Sequence, residues 1–316
     1  MTASSGVHPV TVGLGRQEWT TVVSPPGDGP GFWAGAPSAL WSDGMVWLAY
    51  RLRRPVEAGR GFANIVARSS DGYRFETVAE VTSAQFASAS LERPALVAAP
   101  DGTWRLFVSC STEASKHWWV EVVEAASPER FGPDRGRIVL PGDRVTAWKD
   151  PVVSVAEGGW QMWACRHDTV RDEDADRMDS WYFTSPDGRE WVSHGPALRP
   201  TAGTWDRRGV RIASVIDSSG NGGSENGANR WIALYDGRAT SSENWSERTG
   251  VAVGTDPDRF EAVGAEPLVD APSIRYVSPV AMPDGSWLVY YEAERSDGAH
   301  DLRVEYVPRP TGASQS

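Results

Sequence analysis

The chain has 316 residues, 40% of them hydrophobic, with a net charge of -11, 16 Trp and 32 Gly. That acidity, with no basic run to offset it, argues against a general nucleic-acid binder, and no stretch approaches the length of a membrane span. Abundant Trp and Gly favour a β-rich, turn-rich protein over a helical bundle, and the length suits one large repeat fold.

Taken in order, the chain opens on Met1 to Pro9, which has neither a positive segment nor an apolar one, so a cytoplasmic location is expected. Gly15-Arg-Gln-Glu-Trp-Thr-Thr21 resembles the later Gly188-Arg-Glu-Trp-Val-Ser193, a strand entry. Five units follow, each with a short apolar strand, a turn and a second strand opening on Trp. Trp47, Trp104, Trp160, Trp231 and Trp287 mark these second strands at spacings of 57, 56, 71 and 56 residues. The long interval holds Ser218 to Asn229, a polar Gly-rich segment that reads as a flexible hairpin tip. Ser42-Asp-Gly, Pro100-Asp-Gly, Glu157-Gly-Gly and Pro283-Asp-Gly supply hairpin turns. A later signature joins third strand to fourth: Ser69-Ser-Asp-Gly-Tyr-Arg-Phe75, Ser127-Pro-Glu-Arg-Phe131, Ser185-Pro-Asp-Gly-Arg-Glu-Trp191 and Thr255-Asp-Pro-Asp-Arg-Phe260.

Four strands repeated radially predict an all-β, five-bladed β-propeller of four-stranded antiparallel blades. The blades are expected at 33–81, 88–140, 146–199, 205–264 and 271–307, in a single domain. The last is a strand short, and residues 15–22 are expected to complete it and close the ring, removing an exposed edge. The tail at 308–316 reads as disordered. Cys110 and Cys165, at the ends of apolar strands, read as buried free thiols, and neither a metal site nor a cofactor is expected.

In a propeller the first strands line a central funnel, which is the default ligand site. Pro37, Pro94 and Pro151 lie 57 residues apart, so Ala36, Glu92 and Arg93, Lys149 and Asp150, Arg207 and Arg208, and Arg275 and Tyr276 become spatial neighbours. Loops after the second strands add Arg51, Arg53, Glu113, Arg166, His167, Asp168, Asp236, Glu292 and Glu294. Trp33, Trp118, Trp119 and Trp148 fall near the rim and could stack on a sugar or another flat substrate, whereas the five strand-opening Trp residues read as packing between blades. His167 beside Asp168 reads as a surface histidine or as a base with its orienting group. Arg171 to Asp179 reads as a solvated acidic insertion, without the glycine and ligand spacing of a calcium loop.

Trp148-Lys-Asp-Pro151 and the Ser-x-Asp-Gly-x-x-Trp type turns make almost the whole chain similar to the five-bladed propeller glycoside hydrolases of the arabinanase, levansucrase and invertase type. The resemblance implies three carboxylates, one each from blades one, three and four, acting as base or nucleophile, charge stabiliser and general acid. Asp150 matches the second. Ala36 stands where the first is expected, and Arg208-Gly209 stands where the acid is expected, so the reacting carboxylates have moved or the reaction has changed. Asp150, Glu92, Asp206 and Asp168 are the candidate catalytic groups. Arg93, Lys149, Arg208, Arg275, Tyr276, Trp33, Trp148, His167 and Glu292 are the candidate binding groups. The cations fit an anionic small-molecule ligand, and they equally fit a structural ring paired with Glu92, Asp150 and Asp206. A glycosidase acting on a small glycoside, a lyase or cyclase of specialised metabolism, and a binding propeller without chemistry all remain open. Oligomeric state is not readable.

Overall fold

The computed structural model describes residues 8–132, 136–156, 158–218, 230–269 and 274–309, and the elements and contacts below refer to these. Much of the polar tip at 218–229, residue 157 of the third turn and the tail from 310 onward lie outside them.

Each expected unit is an antiparallel meander. The first comprises β2 (Trp33–Ser42), β3 (Met45–Arg53), β4 (Gly61–Ser69) and β5 (Glu76–Thr82); the second comprises β6 (Ala95–Ala98), β7 (Trp104–Ser111), β8 (Trp118–Ala125) and β9 (Arg137–Leu140). The third is β10 (Thr146–Ala156), β11 (Gly159–Asp168), β12 (Met178–Ser185) and β13 (Val192–Leu198), and the fourth is β14 (Gly209–Asp217), β15 (Trp231–Arg238), β16 (Arg248–Asp256) and β17 (Arg259–Ala262). In the fifth, β18 (Arg275–Ala281), β19 (Trp287–Glu294) and β20 (His300–Val307) are joined by β1 (Trp19–Val23), which pairs antiparallel with β20 from Trp19 opposite Glu305 to Val23 opposite Leu302. Upstream of β1, Gly15 donates its N–H to Glu305 at 2.9 Å. A short helix, α1 (Pro9–Gly13), had no sequence signal; it buries Val10 against Trp287 and Val307.

Successive first strands touch, from β2 to β6, β10, β14 and β18, and β18 returns to β2. Side chains stitch them: Ser38 Oγ accepts from Leu96 N, and Ser278 Oγ accepts from Ala39 N, each at 3.0 Å. Between units, alternate residues of the second and third strands pack as core, with Trp47 against Trp104 at 4.8 Å. Each such ring contributes roughly 2–3 kcal/mol through burial. The two thiols are buried, and burial pushes that of Cys165 up to about 12. The Ser-x-Asp-Gly turns form because one aspartate caps the backbone: Asp71 accepts from the N–H groups of Tyr73 and Arg74, both at 2.8 Å. Asp187 repeats this with Arg189 and Glu190.

Strand β1 covers the outer edge of β20, so removing residues 1–23 should expose a row of unpaired backbone groups. The truncated chain should lose at least about 5 °C of thermal midpoint and scatter light as its concentration rises. A monodisperse product with an unchanged midpoint would show that the strand is dispensable.

Candidate active site

The first strands share a local break in register. Residues 36 and 37 together face one residue of β3, residues 150 and 151 face one of β11, and residues 276 and 277 face one of β19. Ala36, Asp150 and Tyr276 adopt left-handed backbone at φ 52, 54 and 55, which turns their side chains away from the regular alternation. In β14 the break is one residue smaller, between Ile212 and Ser214. Counting from the Trp-anchored end of each hairpin, the position of Lys149 is occupied by Arg211 in unit four and by Arg275 in unit five, opposite Asp236 and Glu292. Unit four therefore presents Arg211-Ile212 where Lys149-Asp150 stand, and the expected correspondence with Arg207-Arg208 is four residues out of phase.

Asp150 is fully buried at the centre. Its Oδ1 accepts from the N–H of Arg93 at 3.3 Å, and its Oδ2 faces Arg211 Nη1 at 3.3 Å, Tyr276 Oη at 3.5 Å and Lys149 Nζ at 3.8 Å. Burial pushes this carboxyl upward, but Lys149, Arg211, Arg51 and Arg93 outweigh it and hold it below the usual carboxylate range. Asp236 differs. Its Oδ2 accepts from Arg211 at 2.8 Å and its oxygens accept from the Tyr276 N–H, yet burial, helped by the neighbouring Glu247 charge, raises its carboxyl. One arginine thus bridges two carboxyl groups whose proton affinities are driven apart.

A second knot joins the floor to the wall. Glu292 accepts from Arg275 at 2.5 Å and from Arg51 at 3.0 Å and bonds His300 Nδ1 at 2.8 Å, and the two arginines with the His300 bond overcome burial to hold it well below the usual range. Glu92 pairs with Arg51. Glu247 accepts from Arg275 at 2.5 Å and from Arg238 at 2.8 Å. Trp33 is 3% exposed, stacked on His300 at 4.8 Å and beneath the guanidinium of Arg53 at 3.8 Å. Its ring is packed inside the wall, where a sugar-stacking rim residue had been expected.

The structure therefore brings together Glu92, Arg93, Lys149, Asp150, Arg275, Tyr276, Trp33 and Glu292. It places other candidates elsewhere. Asp206 accepts from Tyr235 Oη at 2.9 Å and from Thr204, and caps the turn before β14. Asp168 caps Val170 N at 3.0 Å and lines, with Arg208, a separate outer cleft of about 330 Å³ that also contains Arg166, Arg177 and Arg207. Arg208 grips Asp176 at 2.6 Å and reaches Asp150 only through a chain of ion pairs running over Asp176, Arg238, Glu247 and Arg211. Trp148 packs edge-on against Trp181 and Phe183, at 5.5 and 5.2 Å, inside the sheet interface. His167 is buried rather than superficial, bonds Ala175 O at 3.0 Å, and is held neutral by burial and by Lys149 and Arg238. The acidic segment after it is tied down, with Arg171 and Arg177 both on Asp174.

Arg211 and Glu247 escaped sequence reasoning, and Asp236 and Arg51 stood only among funnel-loop residues. A signal was present for Asp236: it lies five residues beyond Trp231, as Glu292 lies five beyond Trp287. Beyond Arg93, towards the opposite ends of the first strands, a second cavity of about 330 Å³ runs between Ser38, Ser154, Ser214 and Ser278.

No protein-family model matches the chain, and no curated protein does either. Solved structures do. A glycosyl hydrolase from Bacteroides ovatus superposes with a TM-score of 0.58 at 14% identity, over 92% of this chain and 94% of that one. A β-1,2-mannobiose phosphorylase from Listeria innocua, solved with β-1,2-mannobiose, gives 0.56 at 16% identity over 91% and 94%. A structure reported for the GH130 family of mannoside phosphorylases, which contains glycoside hydrolases targeting β-1,2 mannosidic linkages, gives 0.59 at 14% over 95% and 96%. At these identities the likeness is one of fold. The chain is an all-β protein with the propeller fold of glycoside hydrolase-like proteins.

Proposed function

We propose that the protein is a single five-bladed propeller domain and a glycoside-processing enzyme whose reaction centre is the Asp150 cluster. The closed sequence of neighbouring first strands supports the blade count. The observation that carries the function is the pair Asp150 and Asp236 on Arg211, one carboxyl held ionised and the other pushed towards its protonated form. Glycoside hydrolysis needs that division: a proton donor for the leaving oxygen, and an anion to activate water or stabilise the positive charge developing at the sugar carbon. Asp236 is the proton donor in this reading and Asp150 the anion, with Glu92, next in the chain to Arg93, as a reserve carboxylate. Tyr276 and Lys149 hold Asp150 in place, and the Lys149 Nζ lies 5.3 Å from the ring centre of the buried Trp118.

Incubation with a panel of α- and β-linked aryl glycosides should release the aryl alcohol from at least one member. The pH dependence of kcat/KM should be bell-shaped, with an acid limb below the ordinary aspartate range from Asp150 and an alkaline limb above it from Asp236. Absence of turnover across the panel would sink hydrolysis. The reading it would leave is a non-hydrolytic reaction in the same funnel, which the burial of both carboxyl groups in ion pairs favours.

A further inference from the structure

The wall above Glu292 is richer in positive charge than its carboxylates can neutralise. Arg53 and Arg60 have no ion-pair partner among the described residues, and both lie close to Arg51. The carboxylate nearest Arg53 is Glu292, whose oxygens are already taken by Arg275, Arg51 and His300. Burial and the neighbouring Arg51, Arg60 and Arg275 push the Arg53 guanidinium down to about 9.

Arg53 is 2% exposed, and its guanidinium lies 3.8 Å from the ring centre of Trp33 and 5.1 Å from that of Trp245, two indoles that meet edge to face at 5.6 Å. A ring stacked on a guanidinium, as Trp33 is, occupies one face and leaves the in-plane N–H edge for other partners. Arg53 Nε and Nη1 are both buried without an acceptor. The same holds for Arg51 Nε, Arg60 Nε and Trp33 Nε1 around it. Every one of these atoms is a donor, so neither a cation nor a neutral donor group would satisfy them. An oxyanion would, because each of its oxygens accepts several N–H groups and a planar or tetrahedral anion fits the guanidinium fork. Trp33 is enclosed, whereas Trp245 is 49% exposed, so Trp245 is the outer ring and the side from which Arg53 can be reached.

We infer that Arg53, beside Trp33 and Trp245, is a receptor for an oxyanion, so that the ligand of this site is an acidic sugar or is accompanied by a free oxyanion. This rests on the placement of the reaction centre proposed above but not on its chemistry.

The test is calorimetric titration of the full chain with glucuronate, glucose and inorganic phosphate, compared with Arg53→Gln, Arg53→Lys and Trp245→Ala. Glucuronate should bind at least about tenfold more tightly than glucose, and Arg53→Gln should remove that preference while leaving glucose binding unchanged. Arg53→Lys should restore only part of it, which separates recognition from a folding defect. Trp245→Ala, at a half-exposed position, should alter the rates of association and release without affecting folding. Arg53-dependent binding of phosphate alone, without a glucuronate preference, assigns the oxyanion to a separate co-ligand. Equal affinity for glucuronate and glucose in the wild type, with no Arg53-dependent phosphate binding, overturns the inference. Glycoside turnover measured in the same samples keeps the two proposals apart: binding of the anion without turnover discards only the hydrolase.

Discussion

Asp150→Asn should cost about 10²–10⁴-fold in kcat on any glycoside that the protein turns over, with little change in KM. Asparagine is the right probe for two reasons. It keeps the size and the acceptor oxygen, and it tolerates the left-handed backbone at φ 54, where alanine would be strained. The substitution leaves Lys149 and Arg211 facing a neutral amide, so the variant should also lose about 3–5 kcal/mol of stability in urea titrations. Asp206→Asn separates the two effects. It replaces one of the two oxygens that accept from Thr204 and Tyr235 with an amide NH2, outside the cluster, so it should lower stability by about 1–3 kcal/mol while kcat stays within about twofold. If Asp206→Asn lost activity as deeply as Asp150→Asn, the carboxylate at Asp150 would have no special place in the reaction.

The comparison between those two aspartates shows what could be read in the chain and what could not. Fold information is repeated five times, and repetition makes it robust: the Trp residues opening β3, β7, β11, β15 and β19 mark each hairpin, and the Ser-x-Asp-Gly turns recur because one aspartate can satisfy several backbone donors. Even the partner of the orphan fifth unit was legible, since Glu18-Trp19 echoes Glu190-Trp191, although the strand starts at Trp19 and not at Gly15. Site information is written once per unit and depends on phase. Pro37, Pro94 and Pro151 set that phase for three units, but unit four has Ala213 at its break and one residue fewer in it. Sliding the motif onto Arg208-Gly209 therefore missed Arg211, the cation that joins Asp150 to Asp236. Glu247 was invisible for another reason: it comes from the loop before β16 and reaches across to Arg275 of the next unit, which no spacing within a repeat encodes. The choice between anionic ligand and structural ring also resolves unevenly. Arg51, Arg211, Arg238 and Arg275 are paired with carboxylates, as a ring requires, while among the described residues Arg53 and Arg60 have no ion-pair partner and Arg93 donates to the Pro37 carbonyl.

Glu292→Gln should be among the most destabilising substitutions of an acidic side chain, because Glu292 accepts from three buried groups, Arg51, Arg275 and His300. A buried pair broken on one side leaves its cations uncompensated, and the expected loss at pH 7 is about 3–5 kcal/mol. The pH dependence identifies the cause. The Glu292 carboxyl is depressed in the folded protein, so its contribution is fully present above the unfolded value of about 4.3 and is lost as pH falls through the folded value. Asp150 and Glu247 are depressed as well and act in the same direction, whereas the raised Asp236 favours folding at low pH and opposes them. Wild-type protein should therefore lose stability steadily below about pH 5. Glu292→Gln begins lower and has one depressed carboxyl fewer to protonate, so its stability should fall less over the same interval and the two curves should converge. Urea unfolding at pH 7, 5, 4 and 3 measures this directly. Parallel curves would mean that the Glu292 charge is not what the arginines of the wall are held by, and that packing of Trp33 against His300 and Arg53 keeps this corner of the ring together.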